Sequence, residues 1–196
     1  MTAPLDLELE VEAGDWQRDE IAAIEAAVIA ALDGALGDGA LWDDNAVPTD
    51  GTQDEGDGAS LLSVVPVIEL GVRLSDDASV RILNRDYREK DKPTNVLSFA
   101  ALESAEDAEA FMMAPDMPLM LGDIVIARET CAREAIDQQK TLKNHLVHLA
   151  VHGTLHLVGY DHMVDDEAEE MEELERQILA GLGIDDPYAP IEDEPN

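Results

Sequence analysis

His152, His156 and His162 are spaced H-x-x-x-H-x-x-G-x-x-H, with Gly159 between the second and third. On a helix the first two project from one face a single turn apart, close enough to hold one ion. Gly159 suits a left-handed C-terminal cap, which turns the chain back and carries His162 to the same ion. Three imidazoles with an open fourth position form the ligand set of a catalytic zinc site, one Zn2+ per chain. A structural zinc wants a fourth protein ligand, and no cysteine stands nearby. His145 and His148 share the same helical stripe, so geometry alone does not choose the ligands. Gly159 and His162 select His152 and His156, leaving His145 and His148 as a polar pair, as support behind the ligands or as substrate contacts.

The spacing is that of the metzincin proteases with one change, because Gly153 stands where those enzymes have glutamate. That glutamate is the general base of a zinc protease. The sequence therefore predicts the metal and argues against proteolysis.

Arg81, Arg85, Arg88, Lys90 and Lys92 are five of only 12 basic residues in the chain, and Asp86, Glu89 and Asp91 are the only acids among them. In so acidic a protein this is the place where a phosphate backbone would be welcome. A solvated helix face with its charges paired is the competing reading.

These residues need elements to hold them. Leu5, Leu7, Leu9 and Val11 alternate with acids, a strand pattern, and residues 16–36 then repeat apolar side chains at helical spacing. Leu61–Val72 reads as a strand that Pro66 assigns to a sheet edge or bulge. Ser75-Asp76-Asp77 offers N-cap chemistry for a short helix through Val80, Leu83, Asn84 and Tyr87. Asn95–Phe99 and Leu119–Ala127 read as strands, and Arg128–Gln139 as a helix. Thr141 opens the histidine helix. Asp165 or Asp166 is expected to cap a last helix whose apolar stripe is Met171, Leu174, Ile178 and Leu182. The fold class expected is α+β, one domain over 1–182. Acidic insertions are expected near 37–60 and 101–118, and an acidic, disordered tail over 183–196.

The net charge of -33 repels nucleic acid and anionic membranes at long range, so an RNA partner must meet a local basic patch. Cys131 is alone, which fits a reducing cytoplasm and a small buried side chain. No stretch approaches the roughly 18 apolar residues of a membrane span, and no basic segment leads an apolar run at the N-terminus. A soluble, cytoplasmic protein is expected.

Leu83-Asn84-Arg85-Asp86-Tyr87-Arg88-Glu89-Lys90-Asp91-Lys92-Pro93-Thr94-Asn95-Val96-Leu97-Ser98-Phe99 resembles the first signature of the YbeY family. Leu121-Gly122-Asp123-Ile124 and His148 to His162 resemble its second and third signatures, in the same order. The resemblance implies a metal-dependent, single-strand endoribonuclease acting in 3′-end maturation of 16S ribosomal RNA and in ribosome quality control. It implies a zincin-like domain with a small mixed sheet packed by helices, zinc on His152, His156 and His162, and Arg88 at the substrate. Ala100 departs from the proline that usually follows Ser-Phe in that family.

On this reading Arg88 and His152 stand at the reacting centre, and Arg85, Arg88, Lys90 and Lys92 bind the RNA precursor. His148, Asp123 and Asp161 support the zinc histidines. Zinc would act as a Lewis acid or lower the pKa of its water, and Arg88 would steady charge developing on phosphorus. The general base is left open among hydroxide on the metal, Asp123 and the RNA's own 2′-hydroxyl. The ribosomal small subunit or assembly factors are the expected partners. Two rivals are a metal-dependent hydrolase of another substrate and a metal-stabilised ribosome-assembly binding factor.

Overall fold

Residues 4–37, 67–102, 117–162 and 164–189 are described by this computed structural model, and they form four strands and five helices. In β1 (Leu5–Val11), Leu5, Leu7 and Leu9 turn to the core while Asp6, Glu8 and Glu10 face water. Helix α1 (Arg18–Gly37) buries Ile24, Ala27, Val28, Ala31, Leu32 and Ala35. At its start the Glu20 carboxylate accepts from Gln17 N at 2.9 Å and from the Arg128 guanidinium at 2.9 and 3.2 Å.

Strand β2 (Ile68–Ser75) leads into α2 (Asp77–Arg88), where the Asp76 side chain accepts from Ser79 N at 2.8 Å. That bond, with the helix N-terminus behind it, holds the Asp76 carboxyl below its usual range. The helix ends at Glu89 in a left-handed turn, φ 58. β3 (Val96–Ala100) and β4 (Leu119–Ala127) pair antiparallel, whereas β1, β2 and β4 run parallel, so the sheet is small and mixed with order β1-β2-β4-β3. After β4 come α3 (Arg128–Asp137), α4 (Leu142–Leu157) and α5 (Asp165–Gly181).

The main core lies on one face of the sheet, where Ile124 and Ile126 of β4 meet Leu146, Ala150 and Leu155 of α4, with α1 and α5 closing around it. A smaller cluster of Val80, Leu97, Val125 and Ala127 lies on the other face beneath α2. The architecture is α+β.

Three expectations change. Strand β2 begins two residues after Pro66 and is flanked by β1 and β4, so it is a central strand. A proline ahead of the ladder removes no sheet hydrogen bond, which is why it does not mark an edge here. Helix α5 starts after Val164 with no side-chain cap, and Asp165 and Asp166 stand within its first turn, where they still favour the helix dipole. Residues 183–189 do not form a disordered tail: Lys140 Nζ donates to Pro187 O at 2.6 Å, and the Tyr188 hydroxyl reaches Glu175. Of the insertion expected at 37–60, Gly37 ends α1 and residues 38–60 lie outside the described residues, as do residues 61–66, most of the second loop and residues 190–196.

Gly122 allows the sheet to close. It has φ +123, and a Cβ there would collide with the Phe99 carbonyl oxygen of the paired strand. Gly122→Ala is expected to cost about 3 kcal/mol or more, lowering Tm by about 6–12 °C. Calorimetry against the parent protein checks this.

Candidate metal centre

The geometry of the centre begins with Thr141, whose hydroxyl accepts from Asn144 N at 3.1 Å and starts α4. One face of α4 packs on the sheet; the other carries His145, His148, His152 and His156. At its end Gly159 N donates to His156 O and Tyr160 N to Leu155 O, with Gly159 at φ +98. This is a Schellman closure, and it brings His162 back over the helix. The His162 ring stacks on His152 with centroids 5.6 Å apart and lies 5.0 Å from His156. Ligand atoms of the three histidines all lie within 4.8 Å of one another.

The proton arrangement decides what this cluster can bind. His152 Nδ1 donates to Glu175 Oε1 at 2.7 Å and His156 Nδ1 to Tyr160 O at 2.9 Å. A carboxylate and a carbonyl only accept, so both Nδ1 atoms carry the proton and both Nε2 atoms present lone pairs. Those Nε2 atoms face each other at 3.1 Å. Two nitrogens on one tetrahedral zinc stand about 3.3 Å apart. Burial, with His152 beside it, holds the His156 pKa below its usual value, which keeps the ring neutral as a ligand must be. The donor set fits a zinc ion.

Arg88 and the three histidines line one cleft of about 700 Å³. Asp161 is the one carboxylate and Arg88 the one Lys or Arg among the described residues lining that cleft.

The family profile described as Endoribonuclease YbeY matches residues 58–183. Endoribonuclease YbeY of Paramagnetospirillum magneticum is 62% identical over 122 residues, covering 62% of this chain and 72% of that one. Endoribonuclease YbeY of Azorhizobium caulinodans is 58% identical over 132 residues, 67% of this chain and 78% of its own length. The chain belongs to the YbeY family. The solution structure of TM1509 from Thermotoga maritima shares the fold at TM-score 0.50 and 17% identity, covering 97% of this chain and all of that one.

For a YbeY family member, the residues behind the histidines are the unexpected part. Asp123 sits on β4 with its carboxylate over Gly71 of β2, exposed, and it does not line the cleft. Strand alternation is the reason: Ile124 turns towards α4, so its neighbour Asp123 cannot. Asp161 stays local, its Oδ1 accepting from His162 N at 2.7 Å. The carboxylate that holds His152 is Glu175 of α5, fully buried, which also takes His148 Nε2 at 3.3 Å and the Tyr188 hydroxyl. Burial alone would raise its pKa, but hydrogen bonds from His148, His152 and Tyr188 outweigh that and hold it at about 2. His148 thus reaches the centre through Glu175. His145 does not, since its Nε2 bonds Glu134 at 2.9 Å, which also takes Asn95 Nδ2 at 2.9 Å.

Glu175 had a signal in the sequence. It lies inside the apolar stripe formed by Met171, Leu174 and Ile178, where an acid has no solvated position. Of the basic run, Arg81 forms a two-pronged ion pair with Asp91 at 2.7 and 2.9 Å, and Arg85 pairs with Asp86 at 2.7 Å. Among the described residues Arg88 has no such partner, and Arg85, Lys90 and Lys92 do not line the cleft.

Gly153 is buried, its carbonyl accepting from Ser98 Oγ at 3.2 Å, and a Cβ there would stand 3.1 Å from Ser98 Oγ and 3.2 Å from Ile124 Cγ2. A glutamate at 153 would point into the sheet. Gly153→Glu completes the protease pattern in letters, yet it is expected to unfold the protein and yield no cleavage of a denatured protein substrate; a folded, proteolytic variant would contradict the packing. Glu175→Ala, by releasing His152, is expected to weaken zinc affinity about 10–100-fold in a chelator competition, with Glu175→Gln losing less because its amide oxygen still accepts.

Proposed function

We propose that this chain is a zinc-dependent endoribonuclease that cuts single-stranded RNA, with precursor 16S ribosomal RNA as its substrate. The observation that carries this reading is the pair of bare Nε2 atoms 3.1 Å apart, at a cleft that Arg88 also lines. The family membership supports the reaction class, and the likeness to relatives named as endoribonucleases supports RNA as the class of substrate.

His152 and His156 of α4, with His162 from the turn that follows it, would hold the zinc, as in a zincin, beside an edge strand, here β3. When bound, zinc supplies Lewis acidity at the scissile phosphate. The residues of the chain do the rest. Glu175 and Tyr160 O fix both imidazoles with their Nε2 atoms aimed into the cleft. Arg88 binds the phosphate and offsets charge that grows on its oxygens. With Gly153 in the protease position and Asp123 facing away, neither acts as the base. The attacking group is then water or the substrate's own 2′-hydroxyl, and a single 2′-deoxy nucleotide at the cut site separates the two.

The charge of -33 shapes how the enzyme meets RNA. Free protein binds naked strands weakly, and a ribosomal small subunit or an assembly factor in the cytoplasm delivers the substrate. Tight, salt-sensitive binding to naked RNA would overturn delivery by a partner.

Cleavage of a single-stranded ribosomal RNA fragment, with zinc quantified in each preparation, tests the main reading. Arg88→Ala is expected to lose about 100–1000-fold in rate with zinc content unchanged. His156→Ala, still folded by circular dichroism, loses zinc and cleavage together. Equal cleavage by all three proteins would assign the activity elsewhere and favour a binding role in ribosome assembly.

A further inference from the structure

The chain contains 2 Phe, 2 Trp and 3 Tyr, and Tyr87, Phe99 and Tyr160 all line the one cleft beside the histidines. Tyr87 is 71% exposed, the most exposed of the described aromatic side chains in that wall. Its ring does not drift free, because it meets Phe99 edge-on, centroids 5.2 Å apart at 68°. Phe99 in turn packs on Val80, Leu97, Val125 and Ala127 beneath α2. Tyr87 therefore presents a water-facing aromatic surface in contact with Phe99, and its hydroxyl has no partner among the described residues. Arg88 follows it directly and lines the same cleft.

An exposed tyrosine by itself calls for no explanation. An aromatic ring anchored by a second ring, one residue from the only guanidinium among the described residues lining the cleft, has the composition of a single-strand RNA subsite: one group for the phosphate, one for the base. Duplex RNA buries its base faces in its own stack and cannot use such a surface. A peptide has no regular alternation of phosphate and planar base to match the pair.

We propose that Tyr87, backed by Phe99, is a stacking platform for one unpaired nucleobase adjoining the phosphate held by Arg88. This rests on the endoribonuclease reading and explains within it why the substrate must be single-stranded. Stacking uses the ring face, so the interaction tolerates any base and is independent of the phenol hydroxyl.

The test couples a protein change to a substrate change. Short end-labelled single-stranded RNAs, intact or with one abasic nucleotide at successive positions around the cut, are bound and cleaved by the zinc-loaded parent protein, Tyr87→Ala and Tyr87→Phe. Thermal denaturation verifies that each variant is folded. Binding is read by fluorescence anisotropy and cleavage on gels, giving KM and kcat separately. Tyr87→Ala is expected to weaken binding and raise KM about tenfold, and Tyr87→Phe to match the parent. At one abasic position the parent loses the same factor while Tyr87→Ala loses nothing further. Equal penalties in parent and Tyr87→Ala at every abasic position, or a loss in Tyr87→Phe as large as in Tyr87→Ala, would overturn the platform. Coupling in binding with no cleavage by any protein would keep the platform and overturn the nuclease reading instead.

Discussion

A carboxylate with no exposed surface anchors the functional half of this protein. Glu175 accepts from His148, His152 and Tyr188 at once, and so ties α4, α5 and the segment after α5 to a single point. A buried charge is costly unless its lone pairs are matched, and here three donors match them. Each donor is fixed in return. His152 can turn only its Nε2 outward, and its orientation makes the Nε2 of His156 a neighbour at metal-binding distance. Arg176 adds a cation over the Tyr188 ring at 5.3 Å, so the clasp is held from outside the site as well.

The same economy explains a missing group. Helix α4 lies so close to β3 and β4 that a Cβ at 153 would press on Ser98 Oγ and Ile124 at 3.1 and 3.2 Å, with Ser98 bonded to the Gly153 carbonyl. That closeness sets the distance between the histidines and the edge strand that borders the cleft. It also excludes a glutamate side chain from the position where zinc proteases carry their base. The chemistry must take its proton acceptor from elsewhere, and a substrate that brings its own hydroxyl next to the scissile bond suits such a site.

What was legible in the sequence was what is local in sequence. The helix spacing of His152 and His156, the capping role of Gly159 and the return of His162 follow from helix geometry within eleven residues. Asp76 as an N-cap and the alternation of β1 are equally local. Contacts between distant segments were not legible. Glu175 lies 23 residues from His152, in a chain with 45 Asp and Glu, where one more acid carries little information unless its place in an apolar stripe is weighed. Asp123 was inside a family signature, yet strand alternation sends it to the far side of the sheet. Pro66 suggested an edge or a bulge, whereas pairing of β1 and β4 on either side of β2 depends on the whole topology.

The basic run shows why charge counting could not find the substrate surface. Arg81 and Arg85 are spent on Asp91 and Asp86, both exposed, so their pairs are worth little in stability but remove two cations from the run's outward field. The turn at Glu89, with its N–H on Arg85 O, ends α2 just after Arg88, which lines the cleft. One guanidinium cannot supply the counterion release that drives most RNA binding, least of all against a net charge of -33. Selectivity in this cleft must then come from short-range geometry, in which the imidazoles of His152, His156 and His162 share one lining with Arg88 and the Tyr87 ring.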